Sequence, residues 1–219
     1  MAPTPSSPLR PRTIIYIDGF NLYYGAIKGT PHKWLNLERY FARLRPDDDI
    51  VAIKYFTAMV TGSTRSNQET YLKALATLSS VEVVLGKFKK KRVACIEPSC
   101  SHLGNRLFET VEEKRTDVNI AVSMLDDAYQ NACDQFVLVS GDSDLVPSVS
   151  LIRSRFGKKK IIVYVPHTPS PTSTRGFAVE LRYAAHVNRD LPINFLAKAQ
   201  FPTQIPDGSG GLITKPLSW

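Results

Sequence analysis

Short runs dense in β-branched and aromatic residues recur along the chain, separated by longer stretches in which apolar residues return every three or four positions. The first such run is TIIYI at 13–17, which stops at Asp18-Gly19 and therefore predicts a buried strand ended by a turn. Runs of the same kind at 50–59, 81–85, 135–139 and 160–165 bring the expected strands to five. Helical spacing occupies 37–44, 68–78, 118–129 and 145–156. In the third of these Val118, Ala121, Val122, Leu125 and Ala128 fall on one predicted face. Strands alternating with helices imply an α/β fold, a mostly parallel five-stranded central sheet with helices on both sides. The stretch 87–107 breaks this rhythm and predicts an insertion or an irregular hairpin. Residues 1–12, rich in Pro and Ser, read as a disordered leader, 13–200 as the folded domain, and 201–219 as a Gly- and Pro-rich tail. A Pro/Ser/Thr loop after Pro166 is expected to lead into a helix at 174–185.

Composition narrows the class. The 219 residues, 43% hydrophobic, can bury a core without disulfides or a structural metal. No stretch has the roughly 18 consecutive apolar residues of a membrane span, and residues 1–12, with four prolines, contain no apolar signal core. Three cysteines, an odd number, fit a reducing compartment, so a cytoplasmic protein without membrane association is expected. The net charge of +8 makes a polyanion the favoured partner.

The acids sharpen that expectation. In an open parallel sheet, ligands bind beyond the carboxyl ends of the strands, where the strand order reverses. Asp18 follows the first strand, and Asp142 and Asp144 follow the fourth in Ser140-Gly141-Asp142-Ser143-Asp144. If those strands are neighbours, three carboxylates meet in one crevice, and Asp117 opens the amphipathic helix beside them. Mutually repelling carboxylates call for a cation, and Mg²⁺ or Mn²⁺ suits oxygen ligands. Each acid alone has a simpler role. Asp18 could be a turn residue, Asp117 a first-turn acid beside a Thr116 cap, and Asp142 or Asp144 a cap for the next helix. Their shared location is what weakens those readings jointly.

Three segments in order, Tyr16-Ile17-Asp18-Gly19-Phe20-Asn21-Leu22, Lys114-Arg115-Thr116-Asp117-Val118-Asn119-Ile120-Ala121 and Val139-Ser140-Gly141-Asp142-Ser143-Asp144-Leu145, give the chain a resemblance to the NYN domain family. The LabA-like branch of that family, related to PIN and flap-type nuclease domains, is the most similar. The resemblance implies a PIN-like three-layer α/β/α sandwich in which Asp18, Asp117, Asp142 and Asp144 form an acidic metal centre, with Asn21 and Ser140 beside it to orient a ligand, water or phosphate. It implies endonucleolytic cleavage of RNA with Mg²⁺ or Mn²⁺ as cofactor. Asp18 and Asp142, which end strands, are the first choices for direct ligands, with Asp117 and Asp144 shared or bridged by water.

A basic surround would deliver the substrate. Lys87, Lys89, Lys90, Lys91 and Arg92 form one run, and Arg153, Lys158 and Lys159 belong to a second. Phe88 or Phe156 could stack on a base, as could Tyr23, Tyr24 and Trp34 at the rim, although lysine runs usually form solvated faces and aromatic residues usually pack the core. Lys114 could meet a phosphate, but pairing with Glu112 or Glu113 is the commoner outcome. Glu113 would add a carboxylate to the centre if the helix began earlier. Cys95, Cys100 and His102 lie close together, yet their spacing misses the usual zinc patterns, so free thiols are expected. Cys133 reads as a small core residue.

Two other functions compete with the nuclease. A phosphatase of the haloacid dehalogenase type would need a second Asp at position 20, which is Phe. A catalytically weak module that binds RNA or a protein partner would keep the fold without turnover. The tail ending at Trp219 is expected to dock on its own domain or, less simply, on a second copy in a homo-oligomer.

Overall fold

The computed structural model describes residues 10–166 and 179–219. Six parallel strands form the central sheet: β1 (Arg12–Asp18), β2 (Asp49–Thr57), β3 (Val81–Leu85), β6 (Gln135–Val139), β7 (Lys160–Val165) and β8 (Val187–Asp190). Their spatial order is β3-β2-β1-β6-β7-β8. From β1 the chain builds outward to β2 and β3, then returns to lay β6 on the opposite side of β1. The order thus reverses between β1 and β6, as the acid positions require.

Alternation along the central strands sorts two cores. Ile15, Ile17, Val137, Val139, Ile162 and Tyr164 face one side, against Leu22, Trp34, Tyr40, Phe41 and Tyr71. Ile14, Tyr16, Phe136, Leu138, Ile161 and Val163 face the other, against Ile120, Met124, Val149, Ile152 and Leu181. The first layer carries α1 (Gly19–Leu22), α2 (Leu37–Leu44) and α3 (Arg65–Leu75); the second carries α4 (Thr116–Tyr129), α5 (Val146–Arg155) and α6 (Val179–Ala184). This is the three-layer sandwich expected from the sequence.

Three details differ from expectation. The sixth strand, β8, is a polar edge segment exposed along most of its length, so it has no hydrophobic signature to read. The irregular insertion is a regular antiparallel hairpin, β4 (Lys87–Ala94) paired with β5 (Leu107–Lys114). In α4 the expected stripe is turned, since Val118 and Val122 are exposed while Ile120, Met124, Asp127 and Ala128 are buried. The rotation brings Asp127 beneath the sheet, where its Oδ2 accepts a 2.7 Å bond from the Tyr16 hydroxyl and pairs at 2.7 Å with Lys54.

The segment after α6 also closes on the domain. The antiparallel strands β9 (Gln204–Pro206) and β10 (Leu212–Thr214) precede Trp219, whose ring packs on Trp34 at 6.2 Å and Tyr71 at 5.8 Å. The terminal aromatic therefore docks on its own domain. Arg12, the last residue of the expected leader 1–12, opens β1, while residues 1–9 of it, the expected loop after Pro166 and the first part of the expected helix at 174–185 lie outside the described residues.

Candidate active site

Asp18 stands at the carboxyl end of β1, only 3% exposed. Its Oδ1 accepts the Asn21 amide at 2.9 Å and so caps α1, while its Oδ2 accepts from the Asn21 side-chain amide and from the Ser140 hydroxyl at 3.2 Å. The Asn21 side-chain oxygen in turn accepts the Gly141 amide at 3.1 Å, and the Ser140 hydroxyl accepts the Asp142 amide at 3.1 Å. This network ties the end of β1 to the end of β6. Asn21 and Ser140 thus act on Asp18 first, holding its carboxylate in place. Gly19 must be glycine here, because a Cβ would lie 2.7 Å from the Phe56 carbonyl oxygen and 2.8 Å from the Tyr55 hydroxyl.

Asp142 and Asp144 follow β6 in a single 3-10 turn, the Asp142 Oδ1 accepting the Asp144 amide at 2.9 Å. The capping role open to Asp142 in the sequence is therefore real. Asp117 lies in the first turn of α4. That turn is locked from outside by β5: Glu113 Oε1 accepts both the backbone amide (3.2 Å) and the hydroxyl of Thr116. Glu113, rather than Thr116, supplies the cap, and Arg115 between them takes a left-handed backbone, φ 83°. Gly86 permits this closeness, since a Cβ there would meet Glu113, Lys114 and Thr116 atoms at 2.8 Å.

The four aspartates share one field. Burial, then the charges of Asp142, Asp18, Glu113 and Asp144, push the Asp117 carboxyl up to about 6. Burial also raises Asp18, against the lowering effect of its bonds from Asn21 and Ser140. Sharing a field is not converging on a point. Among the described residues no set of three or more His, Cys, Asp or Glu side chains is arranged to hold a metal ion. The oxygens of Asp18 are turned to Asn21 and Ser140, and one oxygen of Asp142 to its own turn.

A group whose folded pKa lies above its unfolded value binds more protons when folded, so Asp117 lowers stability as pH rises from about 4 through about 6. Asp117→Asn should therefore stabilise the metal-free protein at pH 7.5 by about 1 kcal/mol, after discounting for the partial exposure of the carboxyl, and leave it unchanged near pH 4. Thermal melts at the two pH values in EDTA test this. Equal effects at both would mean that the acids do not oppose one another.

The basic residues divide. Lys87, Lys89, Lys90, Lys91 and Arg92 all lie on β4, and Phe88 meets Phe20 edge-on at 5.7 Å, which ties this hairpin to the segment just after Asp18. Glu109 pairs with Lys90 and Arg92, all exposed, and the half-buried Glu112 with the exposed Lys91 and Lys114. Lys114 so takes the surface pairing expected of it. Lys87 and Lys89 make no ion pair among the described residues. The residues of the second run are placed differently from one another. Lys159 is buried, donating to the Asn131 side chain and the Cys133 carbonyl, so it is unavailable to a phosphate. Arg153 donates to the carbonyls of Tyr183 (3.3 Å) and Ala184 (3.1 Å), closing the end of α6. Lys158 is exposed. Phe156 packs on Tyr129 and Trp34 is fully buried, so both are structural, whereas Tyr24 is 54% exposed and stacks on Phe20. Cys95 and Cys100 are free thiols in the hairpin loop, and Cys133 is a buried core residue.

Sequence reasoning missed an aromatic cavity of about 450 Å³ next to the end of β1, lined by Gly19 and Phe20 and by Trp219 among others. Its walls come from α1 and the residues just after it, from β2, from α3 and from Ser218 and Trp219, segments too far apart in sequence to reveal a shared pocket.

Residues 12–190 match the NYN domain family, a span that holds the whole sheet and all four aspartates. The chain belongs to the NYN domain family. Over 246 aligned positions this NYN protein is 31% identical to 6-hydroxy-3-succinoylpyridine 3-monooxygenase HspA of Pseudomonas putida (strain DSM 28022 / S16), across 98% of this chain and 76% of that one. Its fold is like that of a protein of unknown function, VPA0982, from Vibrio parahaemolyticus RIMD 2210633, with a TM-score of 0.53 at 18% identity over 85% of this chain and 96% of that one. Among the described residues no helix is long and apolar enough to cross a membrane.

Proposed function

We propose that this NYN protein is an enzyme, a divalent-metal-dependent ribonuclease that hydrolyses phosphodiester bonds at the acidic crevice between β1 and β6. The observation that carries the reading is the raised Asp117 carboxyl, held near 6 by burial and by four other carboxylates. Unbalanced negative charge of this kind fits a hard cation, which keeps several waters and needs only one or two direct carboxylates. Asp18 and Asp142 would hold Mg²⁺ or Mn²⁺ directly, with Asp117 and Asp144 behind bound water. Once bound, such an ion polarises the scissile phosphate and lowers the pKa of a water for in-line attack.

The chain's own residues do the rest. Asn21 and Ser140 fix the orientation of Asp18. Lys87 and Lys89 draw the phosphate backbone to the β4 side of the crevice, and the exposed Tyr24 offers a face on which a base can stack. Labelled single-stranded RNA incubated with the purified protein should be cut with Mn²⁺ or Mg²⁺ and left intact in EDTA. RNA binding should weaken steeply with salt, since several phosphates release counterions. Cleavage that persists in EDTA would remove the metal from the proposal, and binding without turnover in every metal would leave a regulatory RNA-binding module instead.

The likeness to the Pseudomonas putida monooxygenase supports a second reading, in which the protein acts on a small ring-bearing acid. The aromatic cavity adjoining Asp18 is the feature that favours it.

A further inference from the structure

The cavity beside Asp18 has a chemistry of its own. Its walls are aromatic, with Tyr23 and Tyr24 set edge to face at 5.1 Å on one side and Tyr71 between Tyr55 and Trp219 on the other. Such walls select flat rings, because offset stacking and edge contacts add to the burial of apolar area. Its volume of about 450 Å³ is that of a small-ligand site.

Part of the polar lining is already engaged. The Tyr71 hydroxyl donates to the Leu35 carbonyl at 2.9 Å. The Gln68 side chain accepts from the Val60 amide and donates to the Ala58 carbonyl and to Thr57. The hydroxyls of Tyr23, Tyr24, Thr64 and Tyr55 make no hydrogen bond among the described residues, and of these residues Tyr55 is the most buried. It is 8% exposed, its hydroxyl lies against Gly19, and that hydroxyl makes no hydrogen bond to any described residue. Facing the cavity, that hydroxyl is open to a hydrogen bond with a ligand group. Lys28, set 5.0 Å over the Tyr24 ring, and Lys33 also line the cavity, and neither pairs with a carboxylate among the described residues.

We infer that this cavity is a binding site for a planar aromatic ring carrying an anionic group, the ring held between the tyrosines and Trp219, a polar ring substituent bonded to the Tyr55 hydroxyl, and the anion met by Lys28 and Lys33. Gly19 and Phe20 form both its wall and the segment after Asp18, so a ligand seated there borders the acidic crevice. The site stands on the cavity itself, whichever reaction the acids serve. Two sources share this chemistry, a base of a nucleic-acid strand with its phosphate and a free aromatic acid.

Titrations of the full chain in EDTA separate binding from metal-dependent turnover. The probes are uridine 5′-monophosphate, 6-hydroxy-3-succinoylpyridine and succinate, the last an anion without a ring, followed by tryptophan emission and melting temperature. At least one ring-bearing anion should saturate the protein while succinate does not, and a tenfold preference between the two rings assigns the source. Tyr55→Phe, which keeps the ring packing on Tyr71, should weaken the preferred probe by about five- to tenfold, the size of one hydrogen bond. The double variant Lys28→Ala/Lys33→Ala should weaken both ring-bearing anions further. No saturation by either ring compound, equal binding of succinate, or unchanged affinity in both variants would overturn the inference. Failure to cut RNA with ring binding intact would instead count only against the nuclease.

Discussion

Asp18→Asn should abolish metal-dependent RNA cleavage, by at least about 10²-fold, while leaving the fold in place. The expected loss follows from the several kcal/mol of charge stabilisation that a metal centre supplies, about 1.4 kcal/mol for each factor of ten in rate. The fold should survive because asparagine is as good an N-cap as aspartate and can still accept the Asn21 amide with its one carbonyl oxygen. Removing the negative charge also relieves a carboxyl that burial holds above its usual range. The bonds that Oδ2 accepts from Asn21 and Ser140 are lost, which offsets that relief, so the melting temperature in EDTA should stay near that of the parent, and the extra stability conferred by Mn²⁺ on the parent protein should shrink. An active Asp18→Asn variant, or one whose Mn²⁺ response equals that of the parent, would move the centre away from the end of β1.

Asp127→Ala should have the largest effect on stability, about 3–5 kcal/mol, without touching the crevice. The carboxylate is buried on the inner face of α4, paired with Lys54 and bonded by the Tyr16 hydroxyl. Truncating it strands an ammonium whose side chain is 17% exposed and a fully buried phenol, and removing one partner of a buried pair is far costlier than replacing both. For a domain of this size the loss corresponds to a fall in melting temperature of roughly 6–20 °C. The double variant Lys54→Met/Asp127→Leu should recover much of it, because two apolar groups of similar bulk leave no uncompensated charge. If Asp127→Ala melted within 2 °C of the parent, on the order of the effect of a surface substitution, the pair would carry no structural weight.

How much of this was legible in the chain differs from element to element. The strands at 81–85, 135–139 and 160–165 and the helix at 37–44 have the bounds that hydrophobic pattern predicts, since each is bracketed by breakers and has one dominant face or full burial. β8 escaped because an edge strand of polar residues is specified by the backbone groups of β7 rather than by its own side chains. The stripe of α4 was misassigned because Val118 and Val122 share a period with the true inner face but lie one step round it. Only docking against β1 and β2 selects Ile120 and Met124 and admits a charged Asp127, whose partner Lys54 is 73 residues away.

The candidate site divides along the same line. Placement of Asp18, Asp142 and Asp144 at strand ends, and of Asp117 at a helix start, follows from sequence, because the carboxyl edge of a parallel sheet is a consequence of strand order. Membership of the NYN family was likewise readable in three short segments. What the carboxylates do with their oxygens was not. The bonds from Ser140 to Asp18 and from Gly141 to Asn21 form only once β1 and β6 lie side by side, whereas those of Asp18 with Asn21 and of Asp142 with Asp144 are local caps. The basic runs looked equivalent as sequence, yet one lies on an exposed hairpin and the other is spent on Cys133 and the end of α6, a difference set by burial. Periodicity and local breakers are enough to specify the parallel sheet, its switch point and the acids around it. Tertiary structure alone decided which cations are free, how the acids are turned, and that Tyr55 and Trp219, 164 positions apart, enclose one cavity, because contacts between distant segments leave no local trace in the chain.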